Sequence, residues 1–297
     1  MTHIFPKFIS VKTHNKIIHE DDNYVPTDFS ENAGFAADYA CQLAKEKEHN
    51  IHLLHCYTSS SVGENASEET NGTGLLADQK IQELQTQLLR KFPTLHISIE
   101  CSRGLIIDKL TELSQSGKYA MIVMGASGES QLKSIYYGST TVAVASKSEV
   151  PVVVIPNQPF NFEINHVSLL TNFKAAELDT LKEFQEIIGV PQDLTLIHVF
   201  KESQKSENIK DDLDSWAFNI REMGSIEQVN TIAESINKED IELDSVPEVV
   251  SKVISEVNPQ IILITPSRKT FFERLFKSSV SKALALELNK PAFFDKI

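Results

Sequence analysis

Residues 119–140 read YAMIVMGASGESQLKSIYYGST, and this stretch decides the fold of the first half of the chain. Its first six residues are continuously apolar, which is typical of a buried strand. Glycine and hydroxyl residues then mark a loop and the start of a helical pattern: Gly125, Gly128, Gly138, Ser139 and Thr140. A strand, a glycine-rich loop and a helix in this order predict the ligand-binding edge of a parallel α/β sheet.

The chemistry of this loop favours a phosphate ligand. Glycines at 125 and 128 let the backbone approach a ligand closely, and Gly138 opens a helix whose first N–H groups can bind an anion. A second interpretation stays open from these residues alone, in which the glycines only form a tight turn and begin a helix. The motifs GxxxxGK[ST] and GxGxxG do not occur in the chain, which excludes Walker-type and Rossmann-type sites.

Short apolar runs alternate with longer segments of helical periodicity along the whole chain. In the first half the runs predict strands at residues 51–56, 95–101, 119–124 and 151–155. Residues 30–47 carry a stripe of small apolar side chains at helical spacing, with Ser30 in position to cap the helix. The predicted class is α/β, with parallel strands covered by helices on both faces.

The two halves of the chain resemble each other. Thr27-Asp28-Phe29 recurs as Thr171-Asn172-Phe173, and Pro151-Val152-Val153 recurs as Pro291-Ala292-Phe293, in the same order. Spacings of 144 and 140 positions relate these pairs, so an internal duplication explains them better than chance.

The repeat predicts two domains, at residues 1–156 and 166–297, separated by a proline-containing boundary. Residues 59–74 are rich in Ser, Thr, Asn and Gly, and we expect them to form a surface connection within the first domain. Residues 1–20 have no counterpart in the repeat.

Charge and cysteine content narrow the function classes. Acidic residues outnumber basic ones by 41 to 28, a net charge of −13, so binding to nucleic acid or to an anionic membrane is not expected. Cys41, Cys56 and Cys101 show no CxxC spacing, which favours a reducing, cytoplasmic location. The apolar runs are too short to span a membrane, and no signal-peptide core is expected at the N-terminus.

Taken together, these residues resemble the universal stress protein family. Gly125-x2-Gly128-x9-Gly138-Ser139, followed by the strand start Val150-Pro151-Val152, is similar to the nucleotide-binding signature of that family. Val25-Pro26-Thr27-Asp28 resembles its opening strand-to-helix turn, and Leu53-Leu54-His55-Cys56 resembles its second strand. The resemblance covers most of residues 24–156.

The resemblance implies a doubly wound five-stranded parallel sheet in each domain, of the flavodoxin-like or adenine-nucleotide alpha-hydrolase-like type. It also implies ATP or AMP as ligand, with or without Mg²⁺, at the carboxyl ends of the strands. Position by position, it implies four adenine contacts, two ribose contacts and four phosphate contacts, in this order: Pro26, Thr27, Asp28 and Cys56; Met124 and Gly125; Gly128, Gly138, Ser139 and Thr140.

Two of these residues have a structural alternative. The Asp28 carboxylate could instead cap the helix that follows it. Cys56 could be a small buried apolar residue, a role that is compatible with a ligand contact.

The second half departs from the family where a nucleotide would bind. The departures replace an acid and three glycines: Asn172 for Asp28, Thr265 for Gly125, Arg268 for Gly128, and Ser278 for Gly138. We expect this half to keep the fold and to have lost nucleotide binding, because the new side chains occupy space that a backbone contact needs. Basic residues within 268–277 could still attract an anion, or form only a solvated face.

The first half has its own departure. Acidic and polar residues at 19–23 precede the opening turn, where a buried parallel strand would be apolar. Either the opening strand is very short, or residues 16–18 contribute to it and the acidic residues form a bulge or a lead.

The histidines do not predict a metal site. His52 and His55 are three positions apart on a predicted strand, so their side chains point to opposite faces. His55 and His198 recur at equivalent positions of the repeat, and we interpret both as hydrogen-bonded structural histidines. Catalytic motifs are absent from the sequence, and the loop at 125–140 offers one cation, Lys133, and one acid, Glu129, so at most slow ATP hydrolysis is expected.

The leading hypothesis is a tandem universal stress protein that binds ATP or AMP in its first domain. It would act as a stress-response regulator or sensor through an unknown protein partner. The alternative is a ligand-free scaffold formed by two such domains. In either case, residues 150–155 and 292–295 could pair within one chain as a pseudo-dimer. Whether two chains also associate into a homodimer stays open.

Overall fold

The computed structural model describes residues 22–58, 66–117, 119–127, 138–201, 206–223, 225–237, 245–265 and 289–296. Strands and helices alternate within these residues. The first half contains β1 (Asp22–Pro26), α1 (Glu31–Lys47), β2 (Asn50–Tyr57), α2 (Ala66–Lys91), β3 (Ile97–Arg103), α3 (Ile106–Ser114), β4 (Tyr119–Gly125), α4 (Ser139–Ala145) and β5 (Val152–Ile155). The second half contains β6 (His166–Leu170), α5 (Ala175–Ile187), β7 (Asp193–Lys201), α6 (Ser206–Glu222), β8 (Gln228–Ile236), α7 (Val246–Val257), β9 (Ile261–Ile264) and β10 (Ala292–Phe294).

All these strands form one sheet in the order β3-β2-β1-β4-β5-β10-β9-β6-β7-β8. The strands within each half are parallel, and the second half repeats the order of the first. In both halves the order reverses beside the first strand, between β1 and β4 and between β6 and β9. Such a reversal opens a crevice at the carboxyl ends of the strands. The structure confirms the predicted α/β class with two doubly wound, five-stranded parallel units.

The two halves meet where β5 and β10 pair in antiparallel fashion. Val152, Val153 and Val154 lie opposite Phe294, Phe293 and Ala292, and all six residues are buried. The contact between the last strands that the sequence suggested is therefore present within one chain.

Residues 156–165, which connect β5 to β6, pack on α1. The Gln42 side chain accepts a hydrogen bond from the Phe162 amide at 3.0 Å and donates one to the Phe160 carbonyl at 3.4 Å. Phe162 is buried, and its ring meets the Tyr39 ring edge-on with centroids 5.5 Å apart. The Phe162 side chain thus anchors the connection in the core, and a division of the chain into two domains at this point stays a prediction.

Hydrogen bonds at the strand ends follow the repeat that was found in the sequence. The Thr27 amide donates to the Leu54 carbonyl at 2.8 Å, and the Thr171 amide donates to the Ile197 carbonyl at 2.9 Å. The turn after the first strand therefore has the same backbone pairing in both halves.

Helix α1 forms where the stripe of small residues predicted it. Ser30 caps the helix, because its side chain accepts a hydrogen bond from the Ala33 amide at 3.2 Å. Ala36, Ala37 and Ala40 are fully buried and bring the helix close to the sheet. This close approach matters for the site described below.

The opening strand covers five described residues, and the choice between the two sequence interpretations stays a prediction. β1 begins at Asp22, and its pairing with β4 is irregular between Asp22 and Asn23. Asp22 is partly exposed at the start of this strand, and Asn23 is buried. Residues 16–18, which were the other candidate, lie outside the described residues.

The expectation of a surface connection at 59–74 is wrong from Ala66 onward, where α2 begins. The strong apolar period of Ala77, Ile81 and Leu88, all buried, nucleates a helix that continues back into the polar segment. Residues 59–65 lie outside the described residues. Among the described helices, we find none that is both long enough and apolar enough to cross a membrane.

Candidate functional site

A cavity of about 570 Å³ opens at the carboxyl ends of β1, β2 and β4. Its position is the crevice that the reversal of strand order creates in the first half. The following residues line it: Pro26, Thr27, Asp28, Ala33, Cys56, Ile106, Met124, Gly125, Ser127, Gly138, Ser139, Thr140 and Thr141. The structure thus brings nine of the ten residues selected from the sequence to one cavity; the tenth, Gly128, lies outside the described residues.

The turn between β1 and α1 forms one wall of this cavity. Thr27 is buried, and its hydroxyl accepts a hydrogen bond from the Phe29 amide at 3.0 Å. Asp28 is exposed, and its carboxylate accepts a hydrogen bond from the Ser30 amide at 3.0 Å. The cap of α1 is Ser30, so Asp28 shapes the turn before the helix instead of capping it.

His55 stabilises this turn through a hydrogen bond and a ring contact. Its Nδ1 lies 2.7 Å from the Thr27 carbonyl oxygen, which can only accept, so Nδ1 carries the proton. Its ring stacks on Phe29, with centroids 4.4 Å apart, and Phe29 adopts a left-handed backbone conformation with φ 65°. His198 makes the same bond to Thr171 at 2.8 Å, which confirms both histidines as structural.

Cys56 lies at the end of β2 and gives the cavity an uncharged wall. Burial raises the pKa of its thiol to about 11, so the thiol stays protonated near neutral pH. A neutral, polarisable sulfur beside Ile106 and Met124 is suited to an apolar ring.

Asn32 organises the opposite wall, although it does not line the cavity. Its side-chain nitrogen donates to the carbonyl oxygens of Ile155 and Pro156 at 3.1 and 3.0 Å, and its oxygen accepts from the Ser127 amide at 2.9 Å. Asn32 is 3% exposed. It therefore ties the end of β5 to the start of the glycine-rich loop through one buried amide.

The start of α4 forms the polar end of the cavity. Gly138 precedes the helix, and its amide donates to the Ala126 carbonyl. The Thr141 hydroxyl donates to the carbonyl oxygens of Gly125 and Ala126 at 3.0 and 3.1 Å. These bonds hold the end of the loop against β4 and leave Ser139 and Thr140 at the cavity surface.

Sequence reasoning missed five residues of this site: Asn32, Ala33, Ile106, Ser127 and Thr141. Ser127 and Thr141 flank residues that were selected, so adjacency could have found them. Asn32 and Ala33 lie on the first turn of α1, where their direction could have been inferred from the Ser30 cap. Ile106 carries no signal in the sequence, because α3 reaches the cavity only through the folding of the sheet.

In the second half a buried carboxylate stands at the position equivalent to Ala33. Glu177 occupies the repeat position of Ala33, 144 positions later, and is 3% exposed. Its carboxylate accepts from the Thr171 hydroxyl at 2.5 Å and from the Asn172 amide at 2.8 Å. Burial raises the pKa of this carboxyl, against the lowering effect of those bonds.

Thr265, the replacement for Gly125, bonds through its hydroxyl to Thr180 at 2.7 Å. The other replacements, Arg268 and Ser278, lie outside the described residues. Among the described residues of this half, Glu177 is therefore the side chain that stands at a position where the first half has a small cavity-lining residue, Ala33.

A second polar cluster lies on the same face of β2 as Cys56, towards β3 and α3. His52 contacts the Ser98 hydroxyl at 2.8 Å and Glu100 at 3.3 Å, and Glu100 pairs with Lys109 at 3.0 Å. Burial would raise the pKa of Glu100, but the hydrogen bond and charge of Lys109 hold it below its ordinary value. Burial lowers the pKa of His52. Within the described ranges no group of three potential ligands is arranged to hold a metal ion.

Comparisons with known proteins agree with this architecture. The model of the universal stress protein family matches residues 24–156. A curated universal stress protein of Methanocaldococcus jannaschii is 27% identical over 153 residues, which cover 48% of this chain and 88% of that protein.

Two solved structures share the fold along nearly the whole chain. A universal stress protein from Archaeoglobus fulgidus superposes with a TM-score of 0.67 at 19% identity, over 93% of this chain and 98% of the other. A functionally unknown protein from Pseudomonas aeruginosa superposes with a TM-score of 0.54 at 12% identity, over 93% and 92% of the two chains. Residues 24–156 thus match the universal stress protein family, and the whole chain shares the fold of these two structures.

Proposed function

We propose that this protein binds an adenine nucleotide, ATP or AMP, in the cavity of its first half. It then acts in the cytoplasm as a regulator or sensor of the stress response through a protein partner. The observation that carries the proposal is the convergence of residues from three strand ends and three helices on one cavity of about 570 Å³. That volume lies within the range of sites for small molecules and cofactors, roughly 300–1,000 Å³.

The two ends of the cavity differ in chemistry as the two ends of a nucleotide do. Cys56, Ile106 and Met124 present apolar surface that suits a base, with the Asp28 carboxylate beside them as a hydrogen-bond acceptor. Gly138, Ser139 and Thr140 present a backbone without a β-carbon and two hydroxyl groups, which suit phosphate oxygens. Asp28 is the single carboxylate of the described lining, so a Mg²⁺ ion would depend mainly on phosphate oxygens.

We propose binding rather than turnover. Rapid phosphoryl transfer needs a cation on the phosphate and a group that orients the nucleophile. The described lining contains neither a lysine nor an arginine. Lys133 and Glu129 of the loop lie outside the described residues. Slow hydrolysis is the most that this arrangement supports.

The second half offers a matched variant for the test. Ala33→Glu copies Glu177 into the first half and places a carboxylate inside the cavity. The fold should tolerate the change, because a glutamate three positions after Ser30 completes a capping box. Binding should weaken at least about tenfold, since the carboxylate competes with the ligand and repels phosphate.

The experiment is calorimetric titration and thermal melting of the full chain with ATP, AMP and GTP. A ligand of the native state raises the melting temperature, so ATP or AMP should stabilise the parent protein and not Ala33→Glu. Ala33→Ser, which adds no charge, is the control and should retain binding. If no nucleotide binds to either protein, the ligand-free scaffold becomes the better hypothesis.

A further inference from the structure

Strand β8, at one end of the sheet, is less covered than any other strand that the structure describes. None of its nine residues is buried, whereas each of the other described strands has at least one buried residue. Val229, Ile232 and Ile236 pack on the core but are only partly buried. Apolar side chains of this edge are therefore only partly removed from water.

The backbone of β8 has one edge that no described strand pairs with. Gln228 lies opposite Asp193 of β7, and its amide donates to the Gln192 carbonyl. In a parallel pair, alternate residues bond to the neighbouring strand, so the even-numbered residues of β8 face β7. The N–H and C=O groups of Val229, Thr231, Ala233 and Ser235 point away from the sheet. Within the described ranges no strand pairs with them.

The usual protections of an edge strand are missing from β8. Its pairing with β7 runs over nine residues without a bulge. The strand contains neither proline nor lysine, and Glu234 is its one charged residue. The opposite edge of the sheet, β3, carries Glu100 and Arg103 within seven residues. Long, regular edges with little charge are suited to pairing with another strand.

We infer that β8 is an association surface for a second copy of this chain, through antiparallel pairing of the two β8 strands. The sheet already uses antiparallel edge pairing once, between β5 and β10. A two-fold axis at Ile232 uses all nine residues of both strands. It pairs Thr231 with Ala233 and Val229 with Ser235 through their outward backbone groups.

The side chains of this register are complementary. The two Ile232 side chains meet at the axis and cover apolar surface that is half-exposed in one copy. Asn230 lies opposite Glu234 of the second copy, so no two like charges face each other. Shifting the axis by one residue towards the C-terminus would place Glu234 opposite Ile232. Charge and apolar pairing thus favour the axis at Ile232.

The test measures the dimer dissociation constant by sedimentation velocity on the full chain, for the parent and two charge variants of the exposed Asn230. Asn230→Glu places a carboxylate opposite Glu234 in both symmetric pairs, and should raise the constant roughly 2- to 30-fold. Asn230→Lys places an ammonium group there instead, and should lower it. Neither change should alter the fold, because Asn230 is exposed.

A third variant tests the backbone contact directly. Thr231→Pro removes an outward N–H and should abolish the dimer, while Thr231→Val keeps the N–H and should not. Circular dichroism and thermal melting establish that each variant is folded. A parent protein that stays monomeric across the concentration series overturns the inference. So does a dimer whose affinity responds to neither Asn230 variant, because its interface would lie elsewhere.

Discussion

A β-carbon placed on Gly125 would lie 2.8 Å from the side-chain oxygen of Asn32. Real β-carbons essentially never approach an oxygen so closely, so this glycine is required by the helix packed beside it. The same Asn32 oxygen accepts a hydrogen bond from the Ser127 amide. The side-chain nitrogen of Asn32 donates a hydrogen bond to the Ile155 carbonyl at the end of β5. Gly125 and Asn32 therefore form one unit, which sets the position of the glycine-rich loop relative to α1.

This unit predicts non-additive effects on stability. Gly125→Ala should reduce the free energy of unfolding by roughly 1–3 kcal/mol through overpacking. Asn32→Ala should reduce it by about 1–3 kcal/mol, because it leaves buried backbone groups unpaired. In the double variant the alanine at 125 no longer meets the asparagine oxygen, so the loss should be smaller than the sum by about 1 kcal/mol or more. Urea unfolding of the four proteins measures this coupling, and strict additivity would contradict it.

Glu177 predicts a pH dependence of the second half. Its pKa is raised above the ordinary value of 4.5, so the native state binds a proton more tightly than the unfolded chain does. The protonated form stabilises the native state at low pH, and that contribution is lost as the pH rises from 4.5 through the higher native pKa. Glu177→Gln stays uncharged throughout.

The stability of the parent relative to Glu177→Gln should accordingly decline as the pH rises from 4.5. Urea unfolding of both proteins over a pH series measures the difference. Glu163→Gln makes the same exchange at an exposed carboxyl and is the control. A difference that grows in favour of the parent with rising pH would show that the bonds to Thr171 and Asn172 outweigh burial.

Cys56 predicts a chemical signature of ligand binding. With a thiol pKa of about 11, its alkylation should be slow at neutral pH and should rise roughly tenfold per pH unit over the mildly alkaline range. A nucleotide in the cavity should protect Cys56. Cys101, which does not line the cavity, should be unaffected. Peptide mass spectrometry after iodoacetamide treatment, with and without ATP, measures the alkylation of Cys56 and Cys101 separately. Equal protection of both thiols would indicate a general stabilisation of the protein instead of ligand binding at Cys56.

Phe162 predicts that the connection between the halves contributes to the core. Phe162→Ala should lower the free energy of unfolding by about 3–5 kcal/mol, because the ring is buried against Tyr39. Gln158→Ala, in an exposed part of the same connection, should change it by less than about 0.5 kcal/mol. Similar small losses for both variants would identify residues 156–165 as a passive linker.

Much of the fold could be predicted because its signals are local. The strand at 119–124 and the capped helix after Ser30 follow from apolar period and cap chemistry over a few residues. The error at Ala66 has the same origin. The polar composition of residues 59–74 predicts a surface connection, but the part from Ala66 onward is helical because the residues after it pack on the sheet.

The site residues divide along the same line. Pro26, Cys56 and Gly138 belong to motifs whose residues are near one another in the chain, and the structure places them at one cavity. Ile106 belongs to no such motif, and only the course of the sheet brings it there. The sequence shows that Glu177 replaces Ala33 in the repeat. Only the structure shows that its carboxylate is buried and bonds to Thr171 and Asn172.

By itself, the sequence determined the α/β class, the duplication, the glycine-rich loop and the family resemblance, because each depends on residue type and spacing. The tertiary structure alone decided that Asn32 holds the Ser127 amide across 95 positions of chain, that the Glu177 carboxylate bonds to Thr171 and Asn172, and that β8 is the last strand of the described sheet. Those features depend on which surfaces meet when the two halves pack into one sheet. Pairings of that kind join distant residues, and local periodicity carries no information about them.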